Sequence, residues 1–288
     1  MSEDYLLLAR EALKEDQADS DITSMALERA LMGKKFPRGK LCTFSVVAKQ
    51  DGVFSGALWV DALSVEAEFK LFKLVPSGSA FAKGEVLLQG TAEAPQVLAF
   101  ERVLLNELQM LCGVASQTRK FVEIIERAGY KKECSVYHTR KTLALHRSLQ
   151  IRAVLDGGGK RHRKDLQERV LLKENHKILA SQLGVKFGTL VSKVVRENPD
   201  ALIEVENIAE AKVAFTSGAD FVLLDNFTPE QLDELLPSVP KTATLELSGG
   251  LTLENFQSYL RPQVARYSVG AITHSVKAID LALDWEFG

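Results

Sequence analysis

Apolar and polar positions alternate in two different rhythms along this chain, and the change falls near residue 130. Before it, helical and strand patterns mix. Residues 6–18 carry apolar side chains at helical spacing, and Asp21-Ile22-Thr23-Ser24 reads as a cap and turn. Residues 42–49 alternate with the period of two of a half-buried strand, and Asp51-Gly52 follows as a turn signal. Two further strands are expected at 69–75 and 85–91, on either side of Pro76-Ser77-Gly78-Ser79. A long helical stretch then runs from about 96 toward 127, with a break expected at Gly113.

Beyond residue 130, short apolar strands alternate with helical stretches. Strands are expected at 134–139, 170–173, 202–205, 221–224, 244–247 and 266–269. Helices are expected between most of them, for example at 208–217, 229–236 and 253–260. That alternation implies a parallel α/β sheet or barrel. The polar residues fall on this map in an ordered way. Arg140 and Lys141 follow the first of these strands, Lys173 ends the second, and Glu204 and Glu206 end the third. Asp225-Asn226, Ser248-Gly249-Gly250 and Gly270 follow the fourth, fifth and sixth. All sit at carboxyl ends of strands, the edge that carries the active site in parallel α/β folds.

Composition narrows the class of ligand. The 288 residues are 46% hydrophobic, enough for a large core in one or two domains, and carry a formal net charge of −2. Residues 138–176 nevertheless hold ten Lys or Arg, four Asp or Glu, and four of the chain's five histidines. A local positive field in a nearly neutral protein suits a pocket for a small polyanion; a nucleic-acid surface would make the whole domain basic. The start, Met1-Ser2-Glu3-Asp4, lacks the basic residues of a signal peptide, and no apolar run reaches the roughly 18 residues of a membrane span. Cys42, Cys112 and Cys134 are far apart and in no metal-ligand spacing, so reduced thiols and a cytoplasmic location are expected.

Arg140, Lys141, Arg163 and Lys173 are the candidate anion ligands, Arg for bidentate recognition of carboxylate and Lys as a point charge. Lys160, Lys164 and Arg169 read as solvated surface. Glu204 and Asp225 suit Mg²⁺ held by carboxylates and substrate oxygens, or ion pairs with the lysines. The loops at Ser248-Gly249-Gly250 and Gly270-Ala271-Ile272-Thr273 each open a helical region, where backbone N–H groups can approach a phosphate. His162 and His176 are open between substrate binding and structure. Zinc-ligand spacing, a Ser-His-Asp arrangement and a dinucleotide fingerprint are all missing.

These residues in this order resemble the quinolinate phosphoribosyltransferase (nicotinate-nucleotide pyrophosphorylase, carboxylating) family over nearly the whole chain. The resemblance rests on Glu15-Asp16 with Asp21-Ile22-Thr23, Glu101-Arg102 with Leu105-Asn106, and Gly113-Val114-Ala115 with Thr118-Arg119. It continues through Thr139-Arg140-Lys141-Thr142, Gly157-Gly158-Gly159 with His162-Arg163, and Lys173-Glu174-Asn175-His176. Glu204-Val205-Glu206, Leu224-Asp225-Asn226, Ser248-Gly249-Gly250 and residues 270–275 complete it. It implies an N-terminal α/β sandwich domain over 1–112, with a C-terminal helix at 276–288 packing on it. A six-stranded α/β barrel over 113–275 would be the catalytic domain. It implies phosphoribosyl transfer from phosphoribosyl pyrophosphate to quinolinate, giving nicotinate mononucleotide, CO₂ and pyrophosphate in NAD biosynthesis, with Mg²⁺. Arg140, His162, Arg163 and Lys173 would hold the quinolinate carboxylates, and Lys141, Glu204 and Asp225 would act near the ribose, pyrophosphate and metal. Ser248, Gly249, Gly250 and Gly270 would take the 5′-phosphate. Arg102 would reach into a neighbouring subunit of a homodimer, or of a higher oligomer built from dimers. No nucleic-acid or membrane partner is implied.

The chain departs from the family's pattern in its loops. After Thr-Arg-Lys-Thr the family has one residue and then Pro-Gly, where this chain has Leu143 and then Ala144-Leu145. Lys164-Asp165-Leu166 replaces Gly-Leu after His-Arg, Glu174 replaces an Asp, and Ser20 replaces a Gly. Two other readings therefore stand beside the first. One is a paralogue acting on another acid, against which Lys173, Glu204 and Asp225 argue. The other is a catalytically inactive nucleotide-binding relative, which the loss of Pro-Gly favours.

Overall fold

The computed structural model describes residues 3–31 and 41–287; Met1-Ser2 of the acidic start lies outside them. The chain begins α1 (Glu3–Glu15), α2 (Ile22–Ala30), β1 (Leu41–Ala48), β2 (Gly52–Val53), α3 (Ala57–Glu66), β3 (Lys70–Leu74), β4 (Ala80–Phe81), β5 (Val86–Glu93) and α4 (Ala94–Arg127). There follow β6 (Ser135–Tyr137), α5 (Arg147–Asp156), β7 (Leu171–Leu172), α6 (Glu174–Gln182), α7 (Phe187–Glu197), β8 (Leu202–Val205), α8 (Ile208–Thr216) and β9 (Phe221–Asp225). The last are α9 (Pro229–Leu235), β10 (Thr244–Ser248), α10 (Phe256–Tyr259), β11 (Val264–Ser268), α11 (Ala271–His274) and β12 (Leu281–Phe287). Two compact units result. The described residues up to Gln117, Leu143–Gly158 and those from Val276 form the first; Thr118–Thr142 and Gly159–Ser275 form the second. The expected boundary at 112 falls inside α4, and Leu143–Gly158 sorts with the first unit instead of the barrel.

The first unit is built on an antiparallel sheet in the order β12-β1-β5-β3. Alternation along β1 places Cys42, Phe44, Val46 and Ala48 on its buried face. Phe44 meets Phe69 and Phe100 edge-on, with ring centroids 5.4 and 5.3 Å apart. Asp21 caps α2 as expected, its carboxylate accepting the Thr23 and Ser24 N–H groups. Two expectations need correcting, and one helix stands where the sequence reading places no element. The C-terminal segment expected as helix holds β12, paired antiparallel with β1 from Cys42↔Phe287 to Ala48↔Leu281. Leu281 and Leu283 are buried with the period of two that a strand requires. No break occurs at Gly113: α4 continues through it, and a Cβ there would lie 2.6 Å from the Lys277 carbonyl, so close approach requires the glycine. Finally, α3 carries apolar residues nearly all round, which hides the helical rhythm in the sequence; Trp59, Val60, Ala62 and Leu63 are buried.

In the same unit, His146 Nδ1 lies 2.9 Å from Glu107 Oε2. The carboxylate raises the His146 pKa against the opposing effect of partial burial. A raised folded pKa means the pair's stabilisation is fully present below the unfolded value near 6.5 and is lost as pH rises through the folded value. We therefore expect His146→Gln to lower Tm at pH 5.5, by the equivalent of up to about 1 kcal/mol for a partly exposed pair, and to leave Tm at pH 9 nearly unchanged. Thermal denaturation at both pH values checks this.

The second unit is a six-stranded parallel sheet in the order β6-β11-β10-β9-β8-β7. All four residues of β8 are buried, as expected for a strand covered on both faces. At the β6 end, Lys160 N donates to the Val136 carbonyl at 2.7 Å and extends the pairing toward β7. Phe121, Phe256 and Tyr267 stack edge-on, with centroids 5.0 and 5.2 Å apart. The six strands fall where the alternation places them. The helix expected over 253–260 is shorter, only Phe256–Tyr259, because Thr252 and Asn255 cap one another in the preceding turn. The three cysteines are buried and unbridged; burial pushes the Cys112 thiol up to about 12 and the Cys134 thiol up to about 11, so neither is a ready nucleophile. Among the described residues no single helix is long and apolar enough to cross a membrane.

Candidate active site

A cavity of about 360 Å³ opens at the carboxyl ends of the parallel strands. Every strand of the second unit contributes to its wall. His138, Thr139, Arg140 and Lys141 follow β6, Leu171 and Lys173 come from β7 and its end, and Glu204 from β8. Leu223 and Asp225 belong to β9, Glu246 and Ser248 to β10, and Ser268 to β11. One cavity lined by all six strands means that the sheet curls into a barrel around it. His162 and Arg163 enter from the segment between β6 and β7.

The cations surround this cavity. Arg140 Nε is buried without a hydrogen-bond partner among the described residues, a state that favours an incoming anion. Burial, and then the charge of Arg140, depress the Arg163 pKa, while Glu204 opposes them. The two guanidinium groups are thus crowded, and a carboxylate between them would relieve both. Arg163 is held from behind, donating to the Arg169 carbonyl at 3.0 Å. Lys173 Nζ lies 3.5 Å from Glu204 Oε2. Glu204 is buried, and its other oxygen accepts the Glu174 N–H at 3.2 Å, at the N-terminus of α6. Burial and then the Glu204 charge raise Asp225 above the usual carboxylate range, with Lys173 and Lys141 opposing. Two carboxylates on one cavity, one of them raised by the charge of the other, fit a divalent cation. Among the described residues no third protein ligand joins them, so substrate oxygens and water would have to complete the shell.

Of the glycine loops, Ser248 alone lines the cavity. Gly249 has φ +99°, and a Cβ there would lie 2.2 Å from Asn226 Oδ1, so only glycine fits. Ser248 lines the cavity; Gly249, Gly250 and Gly270 are not among its lining residues. The helices after these loops, α10 and α11, are four residues each, too short for a strong terminal dipole. Gly270 does adjoin the site: a Cβ there would come 3.3 Å from Lys141 Cδ. Arg102 belongs to the first unit; its side chain is 59% exposed and makes a 3.9 Å contact with Glu101.

Several roles left open by the sequence are settled here. His176 Nδ1 accepts the Lys173 N–H at 2.9 Å, so this histidine caps α6. Glu206 pairs with Lys177 at 2.9 Å. Arg169 is not solvated: its guanidinium lies 4.5 Å from the Phe221 ring centroid, and its Nε donates to the Asp200 carbonyl at 2.6 Å. Three buried polar residues of the site escaped the sequence reading: His138, Glu246 and Ser268. His138 Nε2 accepts the His162 N–H at 3.1 Å, which leaves its proton on Nδ1, facing the Thr139 carbonyl at 3.0 Å. Burial lowers the His138 pKa, in keeping with a neutral ring. Glu246 sits inside an otherwise apolar strand, Leu245-Glu246-Leu247, the one signal that could have found it.

The changed loop after Lys141-Thr142 carries a strained residue. Leu145 stands where the family has glycine, and its φ is +66°, the left-handed conformation glycine favours. Its side chain is 88% exposed, so little packing offsets that strain. Leu145→Gly is expected to stabilise the protein by up to about 1 kcal/mol, the left-handed strain of roughly 1–2 kcal/mol less the extra entropy of an unfolded glycine. Urea denaturation at constant m-value checks it.

A parallel barrel whose cavity is lined by four Lys and Arg side chains and three carboxylates, Glu204, Asp225 and Glu246, defines an enzyme of polyanionic substrates. Model matches give the family: the quinolinate phosphoribosyl transferase N-terminal domain matches residues 21–112 and the C-terminal domain residues 114–284. The chain belongs to the quinolinate phosphoribosyl transferase family. It is 33% identical over 293 residues to the probable nicotinate-nucleotide pyrophosphorylase [carboxylating] of Methanocaldococcus jannaschii, covering 99% of this chain and 98% of that one. It is 32% identical over 243 residues to the human nicotinate-nucleotide pyrophosphorylase [carboxylating], covering 82% and 80%. The structure of the nicotinate-nucleotide pyrophosphorylase from Francisella tularensis superposes with a TM-score of 0.84 at 28% identity, covering 98% of this chain and 96% of that one.

Proposed function

We infer that this chain transfers the phosphoribosyl group of phosphoribosyl pyrophosphate to quinolinate, yielding nicotinate mononucleotide, CO₂ and pyrophosphate for NAD biosynthesis. The observation that carries this reading is the crowded Arg140–Arg163 pair beside Lys173, on the same cavity as Glu204 and Asp225. Arg140, Arg163, Lys173 and His162 bind the two carboxylates of the acid. Departure of pyrophosphate builds positive charge on the ribose, and Glu204 with Asp225 stabilise it. Lys141 meets the pyrophosphate side of the donor. Ser248, Gly249, Gly250 and Gly270 receive the 5′-phosphate through backbone N–H groups and the Ser248 hydroxyl. Glu204 and Asp225 are the residues that would hold Mg²⁺, which would offset pyrophosphate charge when bound. The enzyme works as a cytoplasmic homodimer, with Arg102 donated to the partner's site.

Much of the rate then comes from placing two anionic reactants together. The expected selectivity follows from the cation count. Nicotinate has one carboxylate and would leave part of the cluster unpaired, so quinolinate should be used and nicotinate rejected. A product assay with quinolinate, nicotinate and nicotinamide in parallel, each with phosphoribosyl pyrophosphate and Mg²⁺, tests this. Equal turnover of the two acids would refute the reading, and turnover of none would favour the inactive relative.

A further inference from the structure

Beneath the cations, the floor of the cavity holds a buried ionic group outside the roles assigned above. Glu246 on β10 is fully enclosed, yet lines the cavity. Ser268 Oγ donates to its Oε1 at 2.6 Å, and His162 Nε2 lies 3.0 Å from the same oxygen. Arg266 Nε lies 3.3 Å from Oε2, and the parallel register sets Arg266 beside Glu246. The two ionic contacts are close in distance but not aligned as hydrogen bonds, leaving His162 Nε2, Glu246 Oε2 and Arg266 Nε enclosed without an aligned partner. Arg266 alone would neutralise Glu246; a histidine on its other oxygen, at the cavity wall, is more than charge balance requires.

We propose that Glu246 is a positioning residue that orients His162 for quinolinate, a role that rests on the reading above. Nε2 is turned to Glu246, so Nδ1 is the ring nitrogen left to meet a carboxylate of the bound acid. In the loaded site the ring lies between two carboxylates. It can donate to both only as the imidazolium, with Glu246 supplying the fixed counter-charge. The loose ionic contacts of His162 and Arg266 with Glu246 would then tighten on binding. The other charged groups around His162 are Arg266 from β11, His138 and Arg140 from the end of β6, and its neighbours Arg161 and Arg163. Of these, Arg161 is paired with Glu168 and His138 carries its proton away from His162. Glu246 is the one carboxylate in contact with the ring among the described residues.

The test is Glu246→Gln, which keeps the volume and an acceptor for Ser268. At pH 8.5 its KM for quinolinate is expected to rise about tenfold, in line with the loss of an orienting partner, while KM for phosphoribosyl pyrophosphate changes by less than about twofold. The quinolinate defect should shrink toward pH 6, where the higher proton concentration favours the imidazolium without the charge of Glu246. A lower Tm with an unchanged KM, or a KM defect equal at both pH values, overturns the proposal and leaves Glu246 structural. Should that variant not fold, Glu246→Asp decides: it keeps the charge beside Arg266 but withdraws from His162, and the same pH-dependent KM defect is expected. In wild-type enzyme saturated with quinolinate at pH 8, the His162 ring ¹⁵N signals, assigned with His162→Gln, should report both nitrogens protonated; a neutral ring overturns the proposal whichever variants fold. Absence of quinolinate turnover by the wild type would instead refute the assigned function.

Discussion

Arg140→Ala and Arg163→Ala are each expected to raise KM for quinolinate by roughly 30-fold or more, the equivalent of about 2–5 kcal/mol for a charge-assisted contact in a desolvated site. KM for phosphoribosyl pyrophosphate should move far less. Arg140 carries the greater expectation, because its buried Nε has no partner among the described residues and a bound carboxylate would supply one. Arg163 is tethered to the Arg169 carbonyl, so its loss also frees a backbone acceptor. Glu204→Ala and Asp225→Ala should behave differently. In the proposed roles they supply the charges that face the ribose, so kcat should fall and the Mg²⁺ dependence change, with quinolinate KM little affected. Removing Glu204 also leaves the Glu174 N–H at the start of α6 without its 3.2 Å acceptor, so folded protein must be verified by circular dichroism first. Steady-state kinetics with each substrate varied in turn reads the difference. If the arginine and carboxylate variants shared one kinetic defect, the division of roles would be wrong.

The site was legible in the sequence wherever a charged residue ended an apolar strand. Arg140, Lys141, Lys173, Glu204 and Asp225 were found in that way, and all five line one cavity. Strand alternation is a local property, and a parallel sheet brings its carboxyl ends together whatever the loops contain. What remained hidden depends on contacts distant in sequence. Glu246 pairs with His162 and Arg266, and nothing near it in the chain announces either partner. The break expected at Gly113 followed from propensity, whereas the glycine answers a carbonyl that arrives from residue 277. The C-terminal strand was missed for a similar reason: the edge of β1 selects strand pairing for residues 281–287, and that edge lies more than 200 residues upstream. Leu145 stands at the family's glycine position, and its left-handed backbone shows only in the structure.

A mixture of two inactive variants is expected to regain activity if Arg102 acts in trans. Arg102 lies on α4 in the first unit, exposed and, among the described residues, held only by a long contact to Glu101, while every other candidate ligand belongs to the second unit. Arg102→Ala and Lys173→Ala should each abolish most turnover as homodimers, since each then carries a lesion in both sites. After subunit exchange at equal concentrations, half the dimers are mixed. With donation in trans, one site of a mixed dimer receives the intact Arg102 and its own intact Lys173, and the other site carries both lesions. Activity should therefore return to about a quarter of the wild-type value. With Arg102 acting in its own chain, every site of every dimer keeps one lesion and nothing returns. Exchange itself is verified independently by mass spectrometry of differently tagged chains. Recovery near a quarter supports the composite site, and none after verified exchange rules out donation in trans.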